Sequence, residues 1–367
     1  MSEKKEKTIR DVDENLTADG TIAHDLREYE LPCEPFDLYG VKFDEREGGF
    51  YRLTKSEAES VGEKVSALRR ITAGGRVRFR TDSTVIRIRA KSWEFRLSQM
   101  PDSGVSGFAL VEKEDGVFVH VATFRPEQGE NGILERSAKL KGGKMREYML
   151  SFPLYVGVES LALGFDETAK IERGERYTIE KPIVYYGSSV TQGGCASRPD
   201  TTFESLISVI GDVDFVNYGL SGSALGEVGM AEFLSKIAAS VFVIGYDANA
   251  PSVEHLRKTH YEFYKTYRER CPQTPVVLVS RPDIEPVPDY EKRVAVVRES
   301  YEKALADGDK NVYFIDGSKL FPDEYRGFCT VEGSHPNDLG FYFIAKGLNE
   351  VISPLLNRSE NDKTYKR

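Results

Sequence analysis

The sequence predicts two domains: an all-β sandwich of the jelly-roll type, followed by an α/β domain with a doubly wound, parallel sheet of five strands. The chain has 367 residues, whereas a domain typically holds roughly 100 to 200. Hydrophobic residues make up 40% of the chain and charged residues 30%, as in ordinary globular proteins. Near Glu180 the hydrophobic pattern changes from strict alternation to continuous apolar runs separated by helical segments.

The first half consists of short segments in which apolar and polar residues alternate, between residues 39 and 177. Such alternation is typical of strands with one buried face. Glycine turns such as Glu114-Asp115-Gly116 separate the segments, and little helical periodicity is visible. The predicted strands are 76–80, 84–90, 107–112, 117–124, 147–152 and 160–165. Many short strands at this spacing predict a sandwich.

The second half alternates between apolar runs and helical segments, as expected when strands are buried on both faces of a parallel sheet. The predicted strands are 183–186, 214–218, 241–245, 275–280 and 312–315. The predicted helices are 202–210, 224–238, 253–270, 290–305 and 339–352. In such a domain, ligands bind beyond the carboxyl ends of the strands.

The expected domain boundary lies in the charged stretch 173–181, which gives a sandwich domain over residues 1–178, an α/β domain over 179–357 and a polar tail over 358–367. Residues 1–20 are polar and lack the apolar region of a secretory signal. No run of 18 or more apolar residues follows, so no membrane span is predicted. The sequence therefore favours a cytoplasmic location.

A net charge of −9 argues against a nucleic-acid partner, because phosphate binding needs clustered basic residues. One basic stretch alternates with apolar residues, as in strands with one face toward water. Its members are Arg76, Arg78, Arg80, Arg87 and Arg89.

The cysteines are scattered without CxxC or zinc-finger spacing, which favours free thiols and indicates neither a disulfide framework nor a cysteine metal site. They are Cys33, Cys195, Cys271 and Cys329. Cys195 lies in the loop that follows the predicted strand 183–186 and the polar segment after it. We expect it to pack rather than react, because no separate histidine motif serves it.

Polar segments with small residues follow three of the predicted parallel strands. They are GSSVTQGG at 187–194, NYGLSG at 217–222 and GYDANA at 245–250. The first can expose a hydroxyl and direct backbone N–H groups at a developing anion. The second lets a backbone N–H approach a ligand closely, and the third can place a side-chain amide. Each segment alone is equally compatible with an ordinary turn.

A fourth segment, EGSHPNDLG at 332–340, directly precedes the last predicted helix and contains His335. The chain has only five histidines, so few imidazole bases are available. A serine hydroxyl becomes nucleophilic when a base removes its proton and a third group orients that base. Glu332 lies three residues before His335, where an acidic side chain on a turn can orient the imidazole.

In this order, the four segments resemble the SGNH hydrolase superfamily, also called GDSL-like lipases and esterases, over about residues 183–356. The usual Gly-Asp-Ser block reads Gly187-Ser188-Ser189 here. The resemblance implies that Ser189 is the nucleophile and His335 the base. Glu332 stands where the family has aspartate, so either its carboxylate or a backbone carbonyl orients His335.

The same resemblance implies an oxyanion hole formed by the backbone N–H groups of Ser189 and Gly222 and by the side chain of Asn249. The first half resembles the sandwich domain that precedes some bacterial SGNH hydrolases related to carbohydrate esterases. Its likeness rests on residues 72–79 and 81–83 and on a degenerate Gly-x-Asp-Leu-Tyr signature at 107–111.

These resemblances imply a serine esterase that removes short acyl groups, acetyl above all, from a carbohydrate through an acyl-enzyme, with neither metal nor organic cofactor. Two alternatives remain: a non-catalytic carbohydrate-binding protein on the same fold, and a lipase or thioesterase for longer acyl chains. The sequence leaves open the sugar, the substrate-binding residues and the oligomeric state.

Overall fold

The computed structural model describes residues 25–126, 132–282 and 289–364. Residues 1–24, which include the polar N-terminal stretch 1–20, lie outside the described residues. The first domain is mainly antiparallel. Its strands are β1 (Leu26–Glu30), β2 (Asp37–Tyr39), β3 (Lys42–Phe43), β4 (Phe50–Tyr51), β5 (Arg76–Thr81), β6 (Val85–Ser92), β7 (Phe108–Glu114), β8 (Val117–Phe124), β9 (Ile133–Lys139), β10 (Arg146–Ser151), β11 (Val158–Asp166) and β12 (Ile171–Arg173).

Two antiparallel sheets face each other in this domain, which confirms the predicted sandwich. One has the strand order β1-β11-β6-β9, and the other has the order β12-β5-β10-β7-β8 with β2 paired to β5. Alternate side chains of both sheets point inward and meet in one apolar core. Aromatic rings fill much of it, among them Phe79, Phe108 and Phe165.

The second domain contains the predicted parallel sheet of five strands. These are β13 (Ile179–Gly187), β14 (Val213–Gly219), β15 (Val241–Gly245), β16 (Val276–Val279) and β17 (Val312–Ile315). Their order is β14-β13-β15-β16-β17. Successive residues of each strand enter two different apolar cores, so the sheet is buried on both faces, as the continuous apolar runs predict.

Helices flank this sheet and the sandwich. They are α1 (Lys55–Val61), α2 (Glu63–Leu68), α3 (Asp102–Val105), α4 (Ser189–Gln192), α5 (Phe203–Gly211), α6 (Val228–Leu234), α7 (Val253–Arg270), α8 (Tyr290–Ala306) and α9 (Asp338–Thr364). Helices α5 and α9 pack on one face, and α6, α7 and α8 on the other. Helix α6 is shorter than predicted, and α9 continues beyond residue 352.

Helices α1 and α2 correct the expectation that the first half lacks helices. Thr54 caps α1 in a capping box, because its side chain accepts a hydrogen bond from Glu57 N and Glu57 bonds back to Thr54 N. Each helix buries only one residue within its own span, Ala58 or Val65. Helices this short show too little hydrophobic periodicity to be recognised from that pattern.

The basic stretch on β5 is a second correction, since its first two arginines do not face water. Arg76 and Arg78 are 1% and 0% exposed, because the second domain covers this face of the sheet. Arg76 pairs with Asp214 at 2.5 Å, and Arg78 pairs with Glu147 at 3.0 Å. The alternating pattern is correct for the strand, but the charged face is an interface between the domains.

All the described cysteines are free thiols. Among the described residues, no helix combines the length and apolar character needed to cross a membrane.

Candidate active site

Three polar segments meet at the carboxyl edge of the parallel sheet, because β13 lies between β14 and β15. Gly187, the last residue of β13, pairs with Gly219 on one side and Gly245 on the other. The strand order reverses at β13, and such a reversal opens a crevice for ligands in doubly wound sheets. The register therefore brings together the segments after all three strands.

Ser189 begins α4 directly after β13 and is partly exposed. Ser188 caps the helix, since its Oγ accepts a hydrogen bond from Val190 N at 3.2 Å. A Cβ at Gly187 would lie 2.1 Å from Thr191 Oγ1, so only glycine allows a turn this tight. The turn presents the Ser189 hydroxyl at the sheet edge.

His335 lies on a tight turn just before α9. Val331 N donates to His335 O at 3.0 Å, which closes the turn, and Gly333 has a φ of +86°, a conformation that favours glycine. Glu332 Oε1 accepts from both His335 N, at 2.9 Å, and His335 Nδ1, at 2.5 Å. The extra methylene of glutamate is therefore accommodated by the turn.

A continuous hydrogen-bonded chain joins Ser189, His335 and Glu332. Ser189 Oγ lies 2.8 Å from His335 Nε2, across 146 residues of sequence. When Nδ1 carries a proton for the carboxylate, Nε2 of a neutral imidazole is left as an acceptor for the serine proton. This is the geometry that activates a serine hydroxyl in hydrolases.

The expected oxyanion donors lie around the same edge. The backbone N–H groups of Ser189 and Gly222 have no acceptor among the described residues, and Gly222 is exposed with a φ of +65°. Asn249 Nδ2 donates to Leu220 O at 2.9 Å. One hydrogen of its amide thus holds the turn 220–223, and the second finds no acceptor in the described part of the chain.

Asp338 ties the histidine turn to the loop after the nucleophile, a link that sequence analysis missed. Its carboxylate accepts hydrogen bonds from Ser197 N at 2.9 Å, Ser197 Oγ at 2.5 Å and Thr201 Oγ1 at 2.8 Å. Since Asp338 follows His335 by three residues, these bonds restrict the separation of base and nucleophile.

Cys195 lies closer to the site than the sequence indicates. Its Sγ, a carboxylate oxygen of Glu332 and a ring nitrogen of His335 all lie within 4.8 Å of one another. The glutamate and the histidine already bond each other. Burial, and then the Glu332 carboxylate, raise the pKa of the Cys195 thiol to about 12. A thiol with so high a pKa is neutral at physiological pH, and thiols react as thiolates.

We therefore expect Cys195→Ser to hydrolyse 4-nitrophenyl acetate at nearly the wild-type rate. Iodoacetamide at neutral pH should leave wild-type activity intact, with Cys195 unmodified in the peptide mass spectrum. An inactive Cys195→Ser variant beside an active Ser189→Ala variant would instead identify the thiol as the nucleophile.

Three more residues beside the site escaped sequence analysis. Gln192 is fully buried at the end of α4. A Cβ at Gly194 would lie 2.8 Å from Tyr155 Oη and 3.0 Å from His335 Cδ2, which places Tyr155 next to the base. Arg52 bonds carbonyls at the end of β14. Tyr155 and Arg52 belong to the first half, where no motif signals a role in the site.

Two family models match the chain. Residues 180–353 match the GDSL-like lipase/acylhydrolase family, and residues 29–171 match the N-terminal region of SGNH-hydrolase-type esterases. No curated protein matches the sequence significantly.

Solved structures share the whole two-domain arrangement. A protein of Bacteroides ovatus described as a GDSL-like lipase is 26% identical, with a TM-score of 0.82 over 91% of this chain and 98% of its own. A salicylyl-acyltransferase from a tetracycline biosynthetic pathway is 19% identical, with a TM-score of 0.74 over 90% and 97%. An acetyl xylan esterase of the rumen bacterium Butyrivibrio proteoclasticus is 12% identical, with a TM-score of 0.59 over 91% and 99%.

Proposed function

Because the chain belongs to the GDSL-like lipase/acylhydrolase family of ester-hydrolysing serine hydrolases, we propose that Ser189 removes short acyl groups, acetyl in particular, from a carbohydrate. The observation that carries this proposal is the hydrogen-bonded chain from Ser189 Oγ through His335 to Glu332 Oε1. It provides a nucleophile, a base and an orienting carboxylate in one line.

In the first half of the reaction, Ser189 Oγ attacks the ester carbonyl carbon while its proton moves to His335 Nε2. The carbonyl oxygen becomes an oxyanion, which the N–H groups of Ser189 and Gly222 and the free amide hydrogen of Asn249 stabilise. When the bond to the leaving alcohol breaks, His335 returns the proton to the alcohol oxygen. Ser189 then carries the acyl group.

In the second half, His335 takes a proton from a water molecule, whose oxygen attacks the acyl carbon. The bond to Ser189 Oγ breaks, the proton moves from His335 to Oγ, and the carboxylic acid leaves. Glu332 keeps its place throughout and stabilises the imidazolium through Nδ1.

The preference for a short acyl group is supported by the shared fold of the acetyl xylan esterase, whose name gives acetyl as the acyl group that it removes.

The preference for a carbohydrate is supported by the shared fold of the acetyl xylan esterase and by the surface near the base. Phe328 is 71% exposed and Tyr325 48% exposed, both on the segment that leads to His335. Exposed aromatic rings beside a catalytic site often mark a ligand surface, and flat aromatic faces suit the apolar faces of sugars.

The test compares 4-nitrophenyl acetate, butyrate and octanoate, followed by acetate release from acetylated xylan and mannan oligosaccharides. We expect kcat/KM for the acetate ester to exceed that for the octanoate ester by about tenfold or more, since a single methylene can change discrimination by roughly that factor. At least one acetylated oligosaccharide should release acetate with the wild type and not with the Ser189→Ala variant.

Other outcomes separate the alternatives. A preference for octanoate would contradict the short-chain proposal and identify a lipase or thioesterase. Binding of an acetylated oligosaccharide by calorimetry, without release of acetate or labelling by a fluorophosphonate, would identify a non-catalytic binding protein.

A further inference from the structure

The turn 220–223, which carries the proposed oxyanion donor Gly222, is held from several sides. Asn249 Nδ2 donates to Leu220 O at 2.9 Å, and Ser221 N donates to Gln192 Oε1 at 2.9 Å. Gln192 Nε2 in turn donates to Leu154 O, in the first half of the chain, at 3.2 Å. Asn249 thus fixes the turn within the second domain, and Gln192 connects it to the first domain.

Tyr155, the residue after Leu154, approaches the same turn. Burial raises the pKa of its hydroxyl to about 12, and the neighbouring side chain of Ser221, directly before Gly222, lowers it. Tyr155 N donates to Val105 O at 3.1 Å, and Leu154 N donates to Gly104 O at 3.2 Å. The tyrosine is therefore anchored in the first domain and contacts the second at the residue next to the oxyanion donor.

Arg52 crosses the interface at the strand that leads into the turn. Its Nη1 donates to Asn217 O at 3.0 Å and to Gly219 O at 2.8 Å, and its Nη2 donates to Leu68 O at 3.2 Å. The side chain is buried, and its hydrogen-bond partners within the described ranges are carbonyl oxygens, without a carboxylate. Burial lowers the pKa of the Arg52 guanidinium to about 10, so it remains charged at neutral pH.

A buried cation without a carboxylate partner lowers the stability of the folded state, so stability does not explain its presence here. Two of the three carbonyls that Arg52 bonds lie at the end of β14, and one of these belongs to Gly219, three residues before Gly222. Removing these bonds releases the strand end from which the turn starts, while Ser189, His335 and Glu332 keep all their mutual contacts.

We propose that Arg52 and Tyr155 are positioning residues through which the sandwich domain fixes the oxyanion turn 220–223 for the transition state. This inference rests on the proposed function, since it assumes that the Gly222 N–H binds the oxyanion. The sandwich domain then contributes to catalysis by positioning the turn. Arg52 and Tyr155 themselves do not contact the reacting atoms.

The test uses the full-length variants Arg52→Met and Tyr155→Phe with 4-nitrophenyl acetate. A lost oxyanion donor costs roughly a hundredfold to a thousandfold in kcat, and a displaced one should cost less. We expect kcat to fall about tenfold to a hundredfold with KM nearly unchanged, because the ground-state ester does not depend on the turn. Affinity for a trifluoromethyl ketone, which forms an oxyanion on Ser189, should fall in parallel.

Arg76→Met is the matched control. Arg76 is also a buried interface arginine that bonds β14, but it contacts Asp214 and Phe215 O near the start of the strand. It should lower the thermal midpoint at least as much as Arg52→Met and leave kcat close to wild type. Arg52→Lys, which keeps the charge and can bond a carbonyl, should recover part of the lost kcat.

The outcomes distinguish the two proposals. If wild type and Ser189→Ala hydrolyse the ester equally, the proposed function fails. If wild type is active and Ser189→Ala is not, but Tyr155→Phe and Arg52→Met keep full kcat or lose no more than Arg76→Met, the positioning inference alone is overturned. Should Arg52→Met not fold, Tyr155→Phe decides, because it removes one hydroxyl and keeps the ring.

Discussion

Ser189→Ala is expected to lower kcat for 4-nitrophenyl acetate by roughly four to six powers of ten, as loss of the nucleophile does in serine hydrolases. Without Oγ, no acyl-enzyme can form, and only the binding site and oxyanion donors remain. Because Ser189 is a small residue at the first position of α4 and alanine is a good helix former, the thermal midpoint should stay near that of wild type. Steady-state kinetics and differential scanning calorimetry measure the two quantities.

Ser188→Ala is the control for this variant. Ser188 is the neighbouring serine, and its Oγ caps α4 through Val190 N without a contact to His335. Loss of a cap costs about 1 kcal/mol of stability, so this variant should be less stable but active, and a fluorophosphonate should still label it. If Ser188→Ala were inactive and unlabelled while Ser189→Ala reacted, the nucleophile would be Ser188.

Glu332→Gln should have the next largest effect, a loss of about a hundredfold to ten-thousandfold in kcat with little change in KM. Glu332 Oε1 accepts from both the backbone N and Nδ1 of His335. A glutamine amide can turn its oxygen to Nδ1, but it cannot stabilise the imidazolium that forms during each proton transfer. Glu332→Asp, with its shorter side chain, should give an intermediate loss.

Glu324→Gln makes the same chemical change at an exposed position on the same segment, and it should leave kcat unchanged. Kinetics of the three variants beside wild type settle the role of the carboxylate. A Glu332→Gln rate within a factor of two of wild type would mean that another group, such as a backbone carbonyl, orients His335.

The parallel sheet could be predicted because its signal is local. Continuous apolar runs such as Val241–Gly245 are long enough to indicate strands buried on both faces. Once those strands are parallel and β13 is central, the segments after them must meet at one edge. The proximity of Ser189, Gly222 and Asn249 therefore follows from strand ends that the sequence displays.

The contacts between the domains could not be predicted in this way. Arg76 alternates with apolar residues as an arginine on a solvent-facing strand does, but the packing of the second domain buries it beside Asp214. The same holds for Arg52 and Tyr155, whose partners lie far away in the sequence and match no spacing rule. Helix α1 could have been found from its Thr54–Glu57 capping box, since that signal is local.

The distance along the chain between the parts of this site determines when activity can arise during folding. Ser189 and His335 are 146 residues apart, and Arg52 and Asn217 are 165 apart. Contacts of such long range form late, because chain entropy opposes them until both domains are compact. Turnover of an ester therefore reports the completed tertiary structure of the molecule, whereas circular dichroism registers the secondary structure of partly folded states as well.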